Sequence, residues 1–314
     1  MKLRNKLVFL IILNLVAFLA QLNLTSCQNP SIVTVYFFDV GQGDSIFIDT
    51  NNKDVLIDGG PRSASLTVLN YLSELNISHV DIVVATHPDA DHIGGLITVL
   101  NSSIQVDMVL YNNQTSTTKT YQEFISLAGD KMVVAERGQV YVLDYNVNFT
   151  VLNPTQPLEF SDTNDNSIVL RLQVENVSFL FTGDATFETE ESMMNAGLNL
   201  KSQVLKVAHH GSKHSTSTEF IQAVKPIYAV ISVGENPYGH PSPETIQRLL
   251  NEDVIVYNTQ VSGTIVMSTD GQTIQVQGNP TPIPELIPTI LLGIISMLTI
   301  LILISRKNSK YFKY

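Results

Sequence analysis

Thr86-His87-Pro88-Asp89-Ala90-Asp91-His92-Ile93-Gly94-Gly95 puts two histidines and two aspartates within six residues. Imidazole nitrogens and carboxylate oxygens are ligands for borderline and hard divalent cations. Two aspartates this close repel each other unless a cation neutralises them. A loop leaving a strand can turn all four groups inward, and Gly94-Gly95 lets the backbone pack closely behind them. Two further segments carry matching groups. Phe179-Leu180-Phe181-Thr182-Gly183-Asp184 is an apolar run ending in an aspartate, and Val204-Leu205-Lys206-Val207-Ala208-His209-His210-Gly211-Ser212 is one ending in a histidine pair. Each alone is a weak signal, because an aspartate at a strand end can simply cap a loop. Together the three segments complete a metal site.

Strands must hold these groups in place. β-Branched and aromatic content predicts strands over 31–39, 44–49, 54–58, 80–86, 106–111, 132–135, 139–143, 149–152, 167–174, 178–182, 203–208, 228–232, 254–257 and 264–268. Apolar spacing predicts helices over 65–75, 93–100, 188–196, 218–224 and 242–251, the second beginning just after the chemistry. Strands followed by helices, in two halves, imply two sheets sandwiched between helices. No linker, repeat or low-complexity run interrupts the region from 31 to 278.

The ends differ from the middle. Lys2, Arg4 and Lys6 precede an apolar run over 7–20, so residues 1–27 read as a signal peptide. Its last four residues, Leu24-Thr25-Ser26-Cys27, resemble a lipobox in which Cys27 is the lipidated first mature residue. Residues 279–286 read as a proline-rich linker, 287–304 as a transmembrane helix and 305–314 as a basic tail. The positive-inside rule makes that tail cytoplasmic and puts the central region outside the cell, on the surface of the cytoplasmic membrane. Five Asn-x-Ser/Thr sequons between Asn76 and Asn176 fit an exported chain. The lone cysteine excludes a disulfide scaffold and any multi-cysteine zinc or iron–sulfur centre. Residues 28–282 contain 28 of the 29 acidic residues but 11 of the 18 basic ones, a net charge of −17. That acidity argues against a general polyanion binder.

The ensemble of motifs resembles a metallo-β-lactamase-fold hydrolase, and within that superfamily the C-terminal domain of the ComEC DNA-uptake (competence) proteins. The resemblance covers most of 31–270. It rests on Phe38-Asp39-Val40-Gly41-Gln42-Gly43-Asp44-Ser45, Leu56-Ile57-Asp58-Gly59-Gly60, Thr86 to Gly95, Asn166-Ser167-Ile168-Val169-Leu170, Leu180 to Ala185, Val207 to Ser212 and Tyr238-Gly239-His240-Pro241. It implies an α/β fold, an αββα sandwich with two divalent metal ions at one edge. His87 and Asp89 would hold the first metal. Asp91 and His92 would hold the second, with Asp184 bridging. One of His209 and His210 would complete the second site, His210 being favoured, and the other would face the phosphate or leaving group. Asp58 matches an aspartate that supports the ligand loop. Two features depart from the wider superfamily: Asp89 stands at the second histidine of His-x-His-x-Asp-His, and no histidine occurs from 93 to 183. Asp165 is the nearest polar substitute. The first site is then richer in oxygen, which favours manganese or magnesium there, while zinc suits the second.

The reaction class implied is metal-assisted hydrolysis of a phosphodiester, with Asp91 as proton acceptor and His209 and His240 near the reacting groups. Asp44, Asp165, Ser212 and Lys213 are weaker candidates for substrate contact. Single-stranded DNA is the expected substrate. The alternatives are a phosphorylcholine-esterase-like hydrolase of cell-surface or lipid head groups, and a non-catalytic metal-binding module. Nothing in the sequence points to a protein partner.

Overall fold

Along residues 33–37 Val33, Val35 and Phe37 are buried and alternate with half-buried Thr34 and Tyr36, the period-two pattern of a strand with one face in a core. The computed structural model describes residues 32–281. The expected signal peptide, lipobox, transmembrane helix and basic tail, with most of the linker, lie outside the described residues. Among the described residues no helix is long and apolar enough to cross a membrane.

Fifteen strands are present among the described residues: β1 Val33–Phe37, β2 Ile46–Asp49, β3 Val55–Ile57, β4 His79–Ala85, β5 Gln105–Tyr111, β6 Met132–Val134, β7 Val140–Asp144, β8 Val147–Asn153, β9 Val169–Val174, β10 Val177–Phe181, β11 Val204–Lys206, β12 Tyr228–Ile231, β13 Ile255–Asn258, β14 Ile265–Thr269 and β15 Ile274–Gln277. They form two sheets, ordered β15-β14-β1-β2-β3-β4-β5-β6 and β13-β12-β11-β10-β9-β8-β7. The α-helices are α1 Ser65–Glu74, α2 Ala90–Ile93, α3 Leu96–Leu100, α4 Lys119–Ala128, α5 Phe187–Asn195, α6 Thr218–Val224, α7 Pro243–Asn251 and α8 Thr259–Ser262.

The sheets meet face to face through Val35, Phe37, Ile57 and Val84 on one side and Phe149, Leu170, Phe179 and Phe181 on the other. The Phe37 and Phe181 rings lie 6.2 Å apart. Helices α1, α3 and α4 cover the outer face of the first sheet through Val68, Leu72, Leu96 and Phe124. Helices α5, α6 and α7 cover the second through Met193, Phe220, Ile221 and Leu249. The result is the expected αββα layering.

Local differences have local causes. The helix expected over 93–100 begins earlier, at Ala90, inside the His/Asp motif, and Gly94-Gly95 divides it into α2 and α3. That division lets the backbone of Gly95 sit against Gly59: a Cβ on Gly95 would overlap the Gly59 carbonyl, and one on Gly59 would lie 2.5 Å from the Leu96 amide. The strand expected over 203–208 stops at Lys206, because His209 and His210 both adopt left-handed backbone. Helix α4 and strand β15 were not expected from the sequence. Thr118 caps α4 by accepting the Tyr121 amide, and its buried stripe is Tyr121, Phe124 and Ala128.

β3 and β4 are parallel, so Asp54 and Asp81 lie at the ends opposite Asp58 and His87. Burial, then Asp49 and Asp81, push the half-buried Asp54 carboxyl up to about 6. The folded state therefore holds this proton more tightly than the unfolded chain. Its contribution is complete below the ordinary carboxylate range and is lost as pH rises through about 6. Asp54→Asn should raise the melting temperature at pH 8 and leave it unchanged at pH 4. The gain is on the order of 1 kcal/mol once solvent screening is allowed for. Equal melting shifts at both pH values would count against this account.

Candidate metal centre

The C-terminal ends of two adjacent strand pairs, one in each sheet, converge on one edge of the sandwich. Asp58 follows β3, His87 to His92 follow β4, Asp184 follows β10, and His209 and His210 follow β11. β3–β4 and β10–β11 are parallel pairs, which is why ligands distant in sequence leave the sheets on the same side. Asp184 is the hub. Its Oδ1 lies 3.3 Å from His92 Nε2, and its Oδ2 lies 3.4 Å from His210 Nε2, 3.8 Å from His209 Nε2 and 4.0 Å from His87 Nε2. Asp91 Oδ2 is 3.4 Å from His210 Nε2, and Asp89 Oδ2 is 3.7 Å from His87 Nε2. Two trios have ligand atoms close enough to share an ion: His87, His92 and Asp184, and Asp91, His92 and His210.

The imidazoles are aimed from behind. Buried Asp58 holds His92 Nδ1 at 2.8 Å, and Asp58 is itself fixed by accepting the Thr86 amide at 2.9 Å and the Thr86 hydroxyl at 2.7 Å. His210 Nδ1 lies 2.9 Å from the Ser232 carbonyl, to which it donates. Both rings therefore present Nε2 inward, the carboxylate–histidine arrangement that orients metal ligands. Asp58, His209 and His210 have φ values of 56°, 49° and 51°. Left-handed backbone at non-glycine residues is costly and concentrates at functional sites.

Burial, reinforced by His92, pushes His87 down to about 3, so it is neutral and free to ligate. Burial alone would raise Asp184, but His210 and His92 hold it well below the carboxylate range. In turn Asp184 raises His92 and His210 well above the usual imidazole range against their burial. His87 Nε2, His92 Nε2, His210 Nε2 and Asp184 Oδ1 are buried without any hydrogen-bond partner. Buried polar atoms are nearly always paired. Four unpaired donor atoms facing one another are the arrangement a cation would satisfy, so the residues fit a metal centre.

The metallo-β-lactamase superfamily model matches residues 38–235, well over half the chain. The chain belongs to the metallo-β-lactamase superfamily. Members are generally metal-dependent hydrolases. The chain is 34% identical over 253 residues to ComE operon protein 3 of Bacillus subtilis, covering 74% of this chain and 32% of that protein. It is 34% identical over 244 residues to competence protein ComA of Neisseria gonorrhoeae, covering 76% and 32%. The chain thus spans about a third of the length of these curated relatives. Among solved structures, the metallo-β-lactamase fold protein YhfI from B. subtilis superposes with a TM-score of 0.52 at 12% identity, covering 76% of this chain and 100% of that one, which shows the shared fold. The likeness to ComEC-type competence proteins read from the motifs is met by these relatives.

Of the residues nominated from the sequence, the structure brings together His87, Asp89, Asp91, His92, Asp184, His209 and His210. The His240 ring lies at its rim, 5.6 Å from that of His209. Four others behave differently. Asp165 is turned away, its Oδ1 accepting from the hydroxyls of Thr186 at 2.5 Å and Thr189 at 3.1 Å, where it anchors the start of α5. Ser212 is buried, and its hydroxyl accepts the His214 amide at 3.3 Å. Lys213 is exposed on the following turn. Asp44 is not at the surface: it lies beneath the site, with Oδ1 3.4 Å from His210 Nδ1. Lys206, not singled out from the sequence as a site residue, is fully buried, with Nζ 2.7 Å from Asp44 Oδ2 and donating to the Val207 carbonyl at 2.8 Å. Burial alone would raise Asp44, but Lys206 and then His210 bring it below its ordinary range.

Proposed function

We propose that the chain is a membrane-anchored, extracytoplasmic metal-dependent phosphodiesterase whose substrate is single-stranded DNA. The observation that carries it is Asp184, whose two oxygens face histidines of both trios and could bridge two cations. His87 and Asp89 would hold the first ion, and Asp91, His92 and His210 the second. Three carboxylates and three imidazoles suit manganese or zinc, and the oxygen-rich first set also suits magnesium. Bound cations would acidify a water molecule and neutralise charge developing on a phosphoryl group. Asp91 is partly exposed. His210 and His92 hold it below the carboxylate range against its burial, so it is ionised, which suits a metal ligand, while the same depression makes it a weak proton acceptor. His209, 27% exposed, and His240 face the side from which substrate must enter. Kinship with competence proteins supports a nucleic-acid substrate. The apolar ends of the sequence support export and anchoring.

The net charge of −17 over residues 28–282 favours a second reading, hydrolysis of small cell-surface or lipid head-group esters, because such substrates need no cationic phosphate track. The test is turnover by the detergent-solubilised full chain, stripped with EDTA and reloaded with manganese or zinc. Metal-dependent cleavage of single-stranded oligonucleotides is the expected result. Turnover of bis-p-nitrophenyl phosphate and glycerophosphocholine without DNA cleavage would transfer the assignment to the second reading. A chain that binds no metal and turns over none of these substrates would be a non-catalytic module.

A further inference from the structure

Aromatic rings form a continuous row from the floor of the centre to solvent. The centroids of His87 and His92 are 4.1 Å apart, those of His92 and His210 5.3 Å, and those of His210 and His209 6.2 Å. The row continues through His240, 5.6 Å from His209, to Tyr238, 5.9 Å from His240 with the ring planes 31° apart. Exposure rises along it, from 1% at His87 to 70% at Tyr238.

The loop bearing Tyr238 is held from within. The Asn236 side-chain oxygen accepts the amides of Tyr238 at 3.1 Å and His240 at 3.0 Å. Its amide group donates to the carbonyls of Gly234 and His240, both at 2.8 Å. A large ring is thus presented to water on a braced backbone, at the mouth of the site. An acidic domain offers few side-chain cations for phosphate contacts. Stacking on an aromatic face supplies affinity without cations and without preference among bases.

We propose that Tyr238 is a stacking platform for a nucleobase flanking the scissile phosphodiester. The proposal rests on the phosphodiesterase function proposed above and adds how the substrate is held. Stacking adds affinity from the base to whatever the metal centre gains from the phosphate.

The test is fluorescence anisotropy of a labelled, slowly cleaved phosphorothioate oligo-dT with the full-length chain in manganese at 4 °C. Tyr238→Ala should weaken binding about tenfold, the loss expected for one stacked base. Tyr238→Phe and Tyr238→Trp should retain it. An abasic oligonucleotide of equal length should bind the wild-type chain weakly and show no further loss with Tyr238→Ala. Unchanged melting and metal content would show that the variant is folded. Equal binding of oligo-dT by Tyr238→Ala and wild type would overturn the proposal, as would wild-type binding that does not distinguish abasic from base-bearing DNA or no binding at all. Normal binding without cleavage of ordinary DNA would instead overturn the nuclease assignment and leave the platform standing.

Discussion

Asp184→Asn is expected to retain the fold, lose most of the bound metal and lower kcat/KM on the order of 10³-fold, as removal of a central electrostatic group from an active site does. The side chain keeps its size. The backbone amide at 184 still donates to the Ser167 hydroxyl at 3.2 Å, so the loop after β10 keeps its anchor. What disappears is the negative charge shared by His92 and His210, and one of the two oxygens that face both ligand trios. The replacing amide also points donor hydrogens at a site built to receive a cation. The checks are metal content after gel filtration, calorimetric titration with manganese and zinc, and turnover of single-stranded DNA. Full metal content with wild-type turnover would place the chemistry away from this cluster.

The ligand set was legible because its chemistry conflicts with its surroundings. Histidines and aspartates that end apolar strands are costly unless they meet something, and three such endings in one chain imply that they meet one another. The two-sheet layering was legible from strand periodicity, and α6 from its apolar spacing at 218–224, where Ser217 also caps the helix by accepting the Phe220 amide. Other features had no local signature. Asp165 sits among asparagines like a ligand candidate, yet its partners Thr186 and Thr189 lie on another element. Helix α4 carries Lys119, Thr120, Gln122 and Glu123 in its first half, which masks the Tyr121, Phe124 and Ala128 spacing that marks its buried side. Lys206 is the plainest case. In Val204-Leu205-Lys206-Val207 it reads as a lysine whose stem lies along a strand and whose head reaches water. β11 is flanked by parallel neighbours on both sides, and this three-dimensional fact seals it instead against Asp44, 162 positions earlier in the chain.

That burial makes the Lys206–Asp44 pair the second place where a single substitution should act strongly. Lys206 and Asp44 are each 1% exposed. Removing Lys206 leaves the Asp44 carboxylate sealed from water with only His210, 3.4 Å away, to offset it, at up to about 3–5 kcal/mol. Lys206→Met is therefore expected to destabilise the chain by about that amount in urea unfolding. The Lys206→Met, Asp44→Asn double variant should regain most of it, because no net charge remains sealed in. The pair's contribution depends on an ionised Asp44 whose folded pKa is depressed, so it is present above the ordinary carboxylate range and lost on acidification below it. The wild-type advantage over the double variant should accordingly shrink toward pH 3. Metal affinity separates the pair's two roles. Asp44 Oδ1 stands 3.4 Å from His210 Nδ1, so the double variant loses a support of His210 while regaining stability. Its affinity for manganese should fall up to about 10-fold, at the low end of the cost of losing a group that supports a ligand, because the Ser232 carbonyl still holds His210 Nδ1. If stability and metal affinity recover together, Asp44 serves only to neutralise Lys206. If neither recovers, the lysine stem acts by filling space beneath the site, and the charge pair is incidental to it.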